Sequence, residues 1–334
     1  GFVLNTTSTT TSSPPSQGRG VYYVWISADP NGTGVDPGDG THDVVKVNAA
    51  NGTFDTYSDA NLWADPTDPT RAYVTMHHSP SGFTEDGLLF GNVFSANTAN
   101  PTTQESTILP YTVGFQLDNN HAWMDRTTGD IHVTWEEFTP SVDRWVAYTR
   151  IHLNNPVGPR ARLSMMSTVG SISNTGGPTV GVTTGGQAVV AFSADWDPTT
   201  GTDFDINLVK VQDNAGTLSF ITPVTRLTEP TTGDGKPFIL GDRVTGRLTV
   251  AFTASATNFQ GSSGNRNVKY SIFDANLAPL IPNALPLQTV DPGVTYIHDD
   301  PWGAIDQNTG EVIYAWLEEP PIAANEMMAW RYSR

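Results

Sequence analysis

The sequence contains no cysteine, which excludes disulfide bonds, thiolate metal ligands and cysteine nucleophiles. Charged residues are also scarce, because they make up only 15% of the chain. Basic residues are the scarcer kind, since 17 Lys and Arg stand against 34 Asp and Glu and leave a formal net charge of −17. An acidic surface of this strength repels nucleic acids and anionic membranes, so neither is an expected partner.

The chain also lacks any apolar run long enough to cross a membrane, so no membrane insertion is expected. It begins at Gly1 without a methionine or a signal peptide, which suggests a processed chain. Sequences that fit N-glycosylation acceptors start at Asn5, Asn31 and Asn51. Together with the acidic surface, these features favour a secreted or cell-surface protein, and they leave its oligomeric state open.

A short repeat is the most informative pattern that is present. It reads Asp-x-x-Thr-Gly, followed by alternating apolar and polar residues, and full copies begin at Asp125, Asp242 and Asp306, with a weaker copy at Val182. The alternation is typical of a half-buried strand, and the preceding glycine suits a tight turn. The turn glycines Gly129, Gly186, Gly246 and Gly310 lie 57, 60 and 64 residues apart. A period of about 60 residues fits a propeller blade with long loops.

The repeat therefore predicts an all-β fold, a single six-bladed β-propeller over residues 1–334 with four antiparallel strands in each blade. The sixth blade has only three strands, ending at Met327–Tyr332, so we expect the N-terminal segment Phe2–Thr7 to supply the fourth and close the ring. Seven blades is the alternative if residues 97–119 contain further strands. Five tryptophans on strands are expected to pack between blades: Trp25, Trp123, Trp135, Trp302 and Trp316.

The repeated phrase resembles the sialidase-type secreted propellers, whose blades often read Asp-x-x-Thr-Gly, then alternate and end in Val-x-Trp. The resemblance covers about residues 60–317, and it is a resemblance of scaffold. The Ser-x-Asp-x-Gly-x-Thr-Trp box and the arginine cluster of those enzymes have no counterpart here. The resemblance thus implies the fold and secretion without implying sialidase activity.

A ligand of such a propeller is expected over its central funnel, on the loops between blades and between second and third strands. These loops are rich in acidic residues, which suggest a glycosidase that uses a pair of carboxylates. The catalytic candidates are Glu136, Glu137, Asp299 and Asp300. The ligand-binding candidates on the same loops are Asn61, His77, His78, His121, Asp195, Trp196, Lys236, Tyr296, His298 and Glu318. No spacing rule selects one pair of carboxylates, so the sequence alone leaves it uncertain whether the protein is an enzyme.

A calcium site is the one cofactor that the sequence suggests. Acidic and amide side chains separated by glycines follow one another at Asp29, Asn31, Asp36 and Asp39, somewhat like a calcium-binding loop, although the full EF-hand pattern is incomplete.

Three functions fit these observations. The first is binding of a glycan or a protein ligand at an acidic funnel face, because acidic loops with aromatic residues form a recognition surface without special geometry. The alternative is a glycoside hydrolase or a polysaccharide lyase that uses a carboxylate pair at the same face. A structural role in an assembly is the third.

Overall fold

The computed structural model describes the chain in segments, and every strand below lies within them. The described residues are 2–6, 20–24, 44–46, 56–65, 67–68, 71–79, 87–94, 102–109, 116–138, 144–152, 155–156, 160–164, 177–195, 204–227, 233–255, 266–281, 283–287, 297–319 and 327–333. The regular structure in these segments consists of strands, which confirms the predicted all-β class. No helix in the described segments has the length and apolar character of a membrane span.

The chain divides into two compact units. Unit 1 comprises Gly1–Ile131, Glu137–Pro140 and Arg150–Val157, and unit 2 comprises His132–Glu136, Ser141–Thr149 and Gly158–Arg334. The prediction of one domain over residues 1–334 stays a prediction.

The first sheet of unit 1 corrects the predicted ring closure. Its strands are β1 (Phe2–Thr6), β2 (Gly20–Val24) and β3 (Val44–Lys46) in that order. β1 pairs antiparallel with β2, so that Phe2 lies opposite Val24 and Thr6 opposite Gly20. The expectation that Phe2–Thr7 pairs with Met327–Tyr332 is therefore wrong. A partner close in sequence costs less loop-closure entropy than one at the far end of the chain.

The second sheet is a four-stranded antiparallel meander in unit 1. Its strands in order are β4 (Thr56–Ala64), β5 (Arg71–Ser79), β6 (Gly87–Phe94) and β7 (Thr102–Leu109). Strand β7 occupies part of the region 97–119 that left room for a seventh blade, and it pairs with β6 as the outer strand of this sheet.

The third sheet follows directly, and its residues are divided between the two units. Its strands are β8 (Gln116–Met124), β9 (Asp130–Phe138), β10 (Arg144–His152), β11 (Asn155–Pro156) and β12 (Ala161–Ser164). The first three pair in chain order, and β11 and β12 both pair with β10.

The fourth sheet lies in unit 2 and repeats the meander. Its strands are β13 (Thr179–Val182), β14 (Ala188–Asp195), β15 (Phe204–Asn214), β16 (Thr217–Phe220) and β17 (Thr225–Leu227). The outer position is shared, because β16 pairs with the second half of β15 and β17 with its first half.

The remaining strands of unit 2 form two further meanders. The fifth consists of β18 (Gly233–Gly241), β19 (Leu248–Ser255), β20 (Arg266–Phe273) and β21 (Leu285–Pro286); the sixth consists of β22 (Ile297–Asp306), β23 (Glu311–Glu319) and β24 (Met327–Ser333). One parallel pair, Arg266 with Ile297, connects them.

The repeated Asp-x-x-Thr-Gly phrase forms the turn between the first and second strands of a sheet, as predicted. Asp242 accepts a hydrogen bond on its side chain from the backbone N–H of Val244 at 2.8 Å, and its carbonyl accepts one from Gly246 N–H at 2.8 Å. Gly246 has a φ of +75°, a conformation that glycine adopts without steric cost. Asp125 and Asp306 cap their own turns in the same way. These aspartates thus serve turn structure.

The residue after the turn aspartate joins successive turns in unit 2. The Arg243 guanidinium donates to the Thr183 carbonyl of the fourth sheet at 2.5 Å. In the next turn, Gln307 accepts from the backbone N–H of Arg243 at 3.1 Å and donates to the Gly241 carbonyl at 3.0 Å. Each of these side chains reaches back to the preceding sheet, so the repeat specifies contacts between sheets as well as the turn itself.

An apolar core fills the space between the fourth and fifth sheets. It includes Val189, Ala191, Ile206 and Leu208 from one sheet and Ile239, Val250 and Phe252 from the other. The first strands of these two sheets, β13 and β18, approach closely, since a Cβ atom on Gly241 would lie 2.2 Å from the Val182 carbonyl oxygen. Glycine is therefore required there. We call the first strand of each meander its innermost strand.

Two of the five predicted core tryptophans are confirmed and one is not. Trp135 and Trp316 are buried, whereas Trp302 is 67% exposed. Trp302 lies opposite Ala315 in the register, on the face of the sixth sheet that does not carry Tyr314. The Tyr314 face packs on the fifth sheet, where the Tyr314 hydroxyl donates to the Thr249 carbonyl at 3.0 Å. Trp123 is partly buried, and Trp25 lies outside the described residues.

The successive antiparallel meanders fit the all-β propeller class. The number of blades and the closure of a ring stay predictions.

Candidate functional site

Each meander has two ends with different chemistry. The capped turns lie at one end, which we call the turn edge. At the other end the innermost strand begins, the second strand ends and the third begins; we call this the loop edge. The parallel pairing of Arg266 with Ile297 places the starts of β20 and β22 at the same edge of unit 2. The loop edge carries the candidate residues because loops there are not constrained by the turn repeat.

A β-bulge recurs in the innermost strands near the loop edge. The register shifts by one residue between Ser58 and Asn61, between Gly235 and Phe238, and between Asp299 and Trp302. Asn119 in β8 and Lys236 in β18 occupy equivalent places, five residues before the end of their strands, and have φ values of 52° and 51°. Bulges and positive φ at non-glycine residues are concentrated at functional sites, where they redirect side chains.

In unit 1, two amide side chains from neighbouring innermost strands are joined. The Asn61 amide nitrogen donates to Asn120 Oδ1 at 3.0 Å and to the Asn120 carbonyl oxygen at 3.4 Å. Asn120 is only 7% exposed. Asn61 and His121, the residue that follows Asn120, are partly exposed. The structure therefore joins the predicted ligand-binding residue Asn61 to Asn120, which precedes the predicted residue His121 in β8.

The imidazole of His121 is held neutral. Desolvation by burial lowers its pKa from 6.5 to about 4. The residue as a whole retains some exposed surface, but the ring lies among enough protein atoms to disfavour a positive charge. His121 therefore offers one donor and one acceptor nitrogen at neutral pH.

His77 lies at the same edge of unit 1. It is opposite Ser58 in the register, and Thr75, two residues before it, is opposite Asn61. Alternation along a strand places Asn61, Thr75 and His77 on one face of the second sheet. The third sheet adds Glu137, which is 1% exposed, at the end of β9 within unit 1.

The two neighbouring glutamates of β9 do not form a pair. Successive residues of a strand point to opposite faces, and Glu136 belongs to unit 2 whereas Glu137 belongs to unit 1. Both are buried, at 0% and 1% exposure. Glu136 and Glu137 are therefore candidates for separate roles rather than for a mutual catalytic pair.

Glu136 ends a row of buried polar side chains on one face of β9 in unit 2. His132 contacts the Tyr148 hydroxyl through Nδ1 at 2.7 Å, and the Thr134 hydroxyl donates to the Ala147 carbonyl at 2.8 Å. His132, Thr134 and Glu136 are all buried. A polar row of this kind is unusual on a buried face of a strand, where apolar side chains normally pack.

A second buried carboxylate at the loop edge of unit 2 belongs to Asp205, at the start of β15. Asp205 is 2% exposed and forms an ion pair with Arg226 of β17, whose side chain is much more exposed. The adjacent Asn207 amide donates to the Asp205 carbonyl at 2.8 Å. The ion pair compensates the cost of burying the Asp205 charge.

A third buried carboxylate, Asp234, lies at the start of β18, opposite Ala254 and completely shielded from solvent. The predicted ligand-binding residue Lys236 follows within the bulge of the same strand. Among the side chains that the structure describes, three buried carboxylates lie at the loop edge of unit 2: Glu136, Asp205 and Asp234.

The other predicted residues are placed less completely. For six of them the structure describes the backbone near the loop edge and not the side chain: His78, Asp195, His298, Asp299, Asp300 and Glu318. Six more lie outside the described residues: Trp196, Tyr296, Asp29, Asn31, Asp36 and Asp39. Within the part of the chain that the structure describes, no three His, Asp or Glu side chains gather as metal ligands. The calcium loop stays a prediction.

Five residues of this edge are not among the candidates taken from the sequence: Thr75, Asn120, Asp205, Arg226 and Asp234. The sequence carried no signal for the burial of Asp205, because Asp205 falls on a polar position of the alternation in β15, which predicts exposure. Its partner Arg226 had no signal either, because the two residues of the ion pair lie 21 positions apart.

No family model and no curated protein sequence matches the chain. Solved structures with a similar arrangement include an alpha-L-arabinanase from Penicillium chrysogenum, which is 17% identical with a TM-score of 0.44, over 65% of this chain and 62% of that enzyme. The chain thus spans less than two thirds of that arabinanase.

Two further structures are matched over more of their length. An endo-arabinase from Bacteroides thetaiotaomicron is 13% identical with a TM-score of 0.44, over 83% of this chain and 93% of that one. An alpha-L-arabinofuranosidase from Lactobacillus brevis is 9% identical with a TM-score of 0.46, over 84% and 91%. The sialidase-type resemblance is not shown by these comparisons, and it rests on the repeated phrase alone.

Proposed function

We propose that this protein is a glycoside hydrolase that acts on a neutral glycan at its loop edge. The observation that supports the proposal most directly is the burial of Glu136, Asp205 and Asp234 in unit 2. Acidic side chains are almost never fully buried without a specific reason. At the turn edge the reason is turn capping, and Asp205 is paired with Arg226, but Glu136 and Asp234 lie within strands, where no turn requires a cap.

The environments of these carboxylates suit the two roles in glycoside hydrolysis. Glycosidases require one carboxylate that acts as base or nucleophile and one carboxylic acid that protonates the leaving group. Asp205 is ion-paired with Arg226, which favours its ionised form and suits the first role. Glu136 and Asp234 are the candidates for the acid, since different environments separate the roles of two carboxyl groups.

The overall charge selects the class of substrate. A protein with a formal net charge of −17 repels anionic sugars over long distances. A neutral polysaccharide is therefore the expected substrate, in contrast to a uronic acid polymer or a sialylated glycan.

The proposal is tested by incubating the protein with linear arabinan, xylan, soluble cellulose and galactan and measuring released reducing sugar. We expect activity on one of them, with a loss of at least about a hundredfold in Glu136→Gln, Asp205→Asn or Asp234→Asn. Asp242→Asn is the matched control, because Asp242 is a buried aspartate at the turn edge. It is expected to lower the melting temperature while leaving activity on the same glycan.

Absence of product from all four glycans would contradict the proposal, as would full activity in all three loop-edge variants. Circular dichroism of each variant establishes that the loss does not come from unfolding.

Binding of a glycan without turnover is the second candidate. It is favoured by the uncharged amide and imidazole groups of Asn61, Asn120 and His121, which can hold sugar hydroxyl groups without any catalytic geometry. Saturable binding of a glycan that yields no product would support this function over hydrolysis.

A further inference from the structure

We propose that Trp302 is a platform on which one ring of a neutral glycan stacks. The residue lies in β22 directly after the bulge near the loop edge, and it is 67% exposed. The inference deepens the proposed function, because it rests on the same glycan ligand and assigns its aromatic contact. It does not depend on hydrolysis.

The exposure of Trp302 is unusual for its place in the fold. Four other large apolar side chains that are exposed lie in turns or at the outer side of their sheets: Ile221, Val244, Leu280 and Leu285. Val244, for example, also reaches 67% exposure, but it belongs to the capped turn that follows Asp242. Trp302 lies in the innermost strand of the sixth sheet instead. An exposed apolar surface in such a place marks an interaction site.

The fifth sheet shows how a face that packs on another sheet is built. Phe238 follows the bulge of β18 as Trp302 follows the bulge of β22, and Leu240 lies two residues later on the same face. Leu240 is fully buried under the sixth sheet, since a Cβ atom on Gly303 would lie 2.9 Å from Leu240 Cδ1. A large aliphatic side chain thus fills the centre of the packed face.

The face around Trp302 lacks this central side chain. The equivalent of Leu240 is Ala304, which is exposed, and the residue opposite Trp302 is Ala315. Ile313, opposite Ala304, is 40% exposed. Packed sheets need interdigitating side chains of full size. Two alanines beside an indole leave a shallow step, which suits a small flat ligand better than a further sheet.

The strand that carries the indole is firmly held. Gly303 packs against the Tyr314 ring, since a Cβ atom on Gly303 would lie 2.7 Å from two of its carbons. Tyr314 is fully buried, and its hydroxyl donates to the Thr249 carbonyl at 3.0 Å. These contacts lie on the face opposite Trp302, so they fix the strand without covering the indole. A platform that is already fixed loses little conformational entropy when a ligand binds.

The chemistry of this surface selects the class of ligand. A sugar ring carries C–H groups on its faces and hydroxyl groups around its edge, so one face can lie on an aromatic ring through dispersion contacts. Trp302, Ala304 and Ile313 carry no charge, and the net charge of −17 repels anionic sugars. Residues 298–300, which the sequence suggested as binding and catalytic candidates, precede the platform in β22. The platform therefore belongs to the loop edge that the proposed function uses.

The test is isothermal titration calorimetry of the full chain with three probes: a linear arabino-oligosaccharide, a xylo-oligosaccharide and a cello-oligosaccharide. Trp302→Leu keeps an apolar side chain but removes the flat ring, whereas Trp302→Tyr keeps a ring. We expect Trp302→Leu to weaken binding of the preferred probe at least about tenfold and Trp302→Tyr to weaken it less than about threefold. Because Trp302 is exposed, both variants are expected to fold with an unchanged melting temperature.

Val244→Ala is the matched control, because it shortens an equally exposed apolar side chain at the turn edge. It is expected to leave the affinity unchanged. Unchanged affinity in Trp302→Leu overturns the proposal, and so does failure of all three probes to bind the unaltered chain.

Other occupants of this face give different results. A large fall in melting temperature in Trp302→Leu would show that the protein itself covers the indole. A dimer, detected by light scattering, that dissociates in Trp302→Asp would assign the face to a second copy of the chain. Either result overturns the proposal.

The outcomes separate the platform from the proposed hydrolysis. Weakened binding in Trp302→Leu without product from any glycan supports the platform and contradicts the hydrolase. Product formation by Trp302→Leu with KM and affinity unchanged supports the hydrolase and contradicts the platform.

Discussion

At the scale of single residues, His121 shows how burial changes the behaviour of an ordinary side chain. The unfolded chain binds a proton at this imidazole near its usual pKa of 6.5, whereas the folded protein resists it until the pH falls to about 4. Between these values the unfolded state holds more protons than the folded state, so folding stability decreases as the pH falls. Above a pH of about 6.5 the residue makes no pH-dependent contribution.

The first prediction follows for His121→Gln. Between pH 6.5 and pH 4, the unfolding free energy of the variant is expected to fall less steeply than that of the unaltered protein. Near pH 8, His121 is expected to add no pH dependence to the stability of the unaltered protein, so the two proteins should behave alike there. Urea denaturation at a series of pH values measures this dependence. An identical slope for both proteins in that range would show that the folded protein does not keep His121 neutral.

Residue type alone does not decide which tryptophans are buried. Trp316 lies in β23 at the position that the repeat predicts, and it is buried. Trp302 lies directly after the bulge of β22, and an extra residue there changes the face on which the following side chain falls. The alternating pattern was visible in the sequence, but the bulge was not, so the exposure of Trp302 could not be predicted.

At the scale of elements, the turn repeat was the part most accessible to sequence reasoning. Its glycine and aspartate act within five residues of one another, so their roles follow from local geometry. The contacts of Arg243 and Gln307 were not accessible in this way, because they reach carbonyl groups 60 and 66 residues earlier. The loop-edge ion pair of Asp205 with Arg226 was missed for the same reason.

The second prediction concerns these contacts between turns. Arg243→Ala removes the charged donor to the Thr183 carbonyl and is expected to lower the free energy of unfolding by about 1 to 2 kcal/mol. Arg247→Ala, at an exposed arginine beside the same turn, is the control and is expected to change it by less than about 0.5 kcal/mol. Chemical denaturation of both variants provides the comparison; equal effects would mean that Arg243 does not join the turns.

The third prediction concerns the closest approach of two strands. Gly241→Ala would place a methyl group 2.2 Å from the Val182 carbonyl oxygen, and backbone cannot move aside cheaply. We expect a loss of about 3 kcal/mol, at the upper end for overpacking, measured as a fall in melting temperature. Gly185→Ala is the control, since nothing lies within 4 Å of its added methyl group. If both variants melt alike, the strands are farther apart than described.

At the scale of the whole molecule, the N-terminal segment shows that the sequence could predict a strand but could not predict the partner of that strand. Phe2–Thr6 was correctly predicted to be a strand, because its residues suit one. The strand that pairs with it was predicted wrongly. An unpaired edge such as that of β24 can pair with any strand, and the sequence does not specify which one. The structure pairs β1 with β2 instead.

The fourth prediction follows from this pairing. Deletion of residues 1–7 is expected to expose the amides of Gly20–Val24 to faster hydrogen exchange, because β2 loses its partner on one side. The amides of Met327–Ser333 are expected to keep their exchange rates. Hydrogen exchange read by mass spectrometry distinguishes the two segments, and faster exchange at Met327–Ser333 alone would restore the predicted ring closure.

The recurrent bulge has a consequence for engineering. Its extra residue is accommodated within one strand, and the turn at the far end of that strand keeps its own hydrogen bonds. The residues at the bulge of β18, Lys236–Phe238, can therefore be exchanged as a unit. Libraries randomised at Lys236–Phe238 would vary the side chains presented at the loop edge without disturbing the turn at the far end of β18.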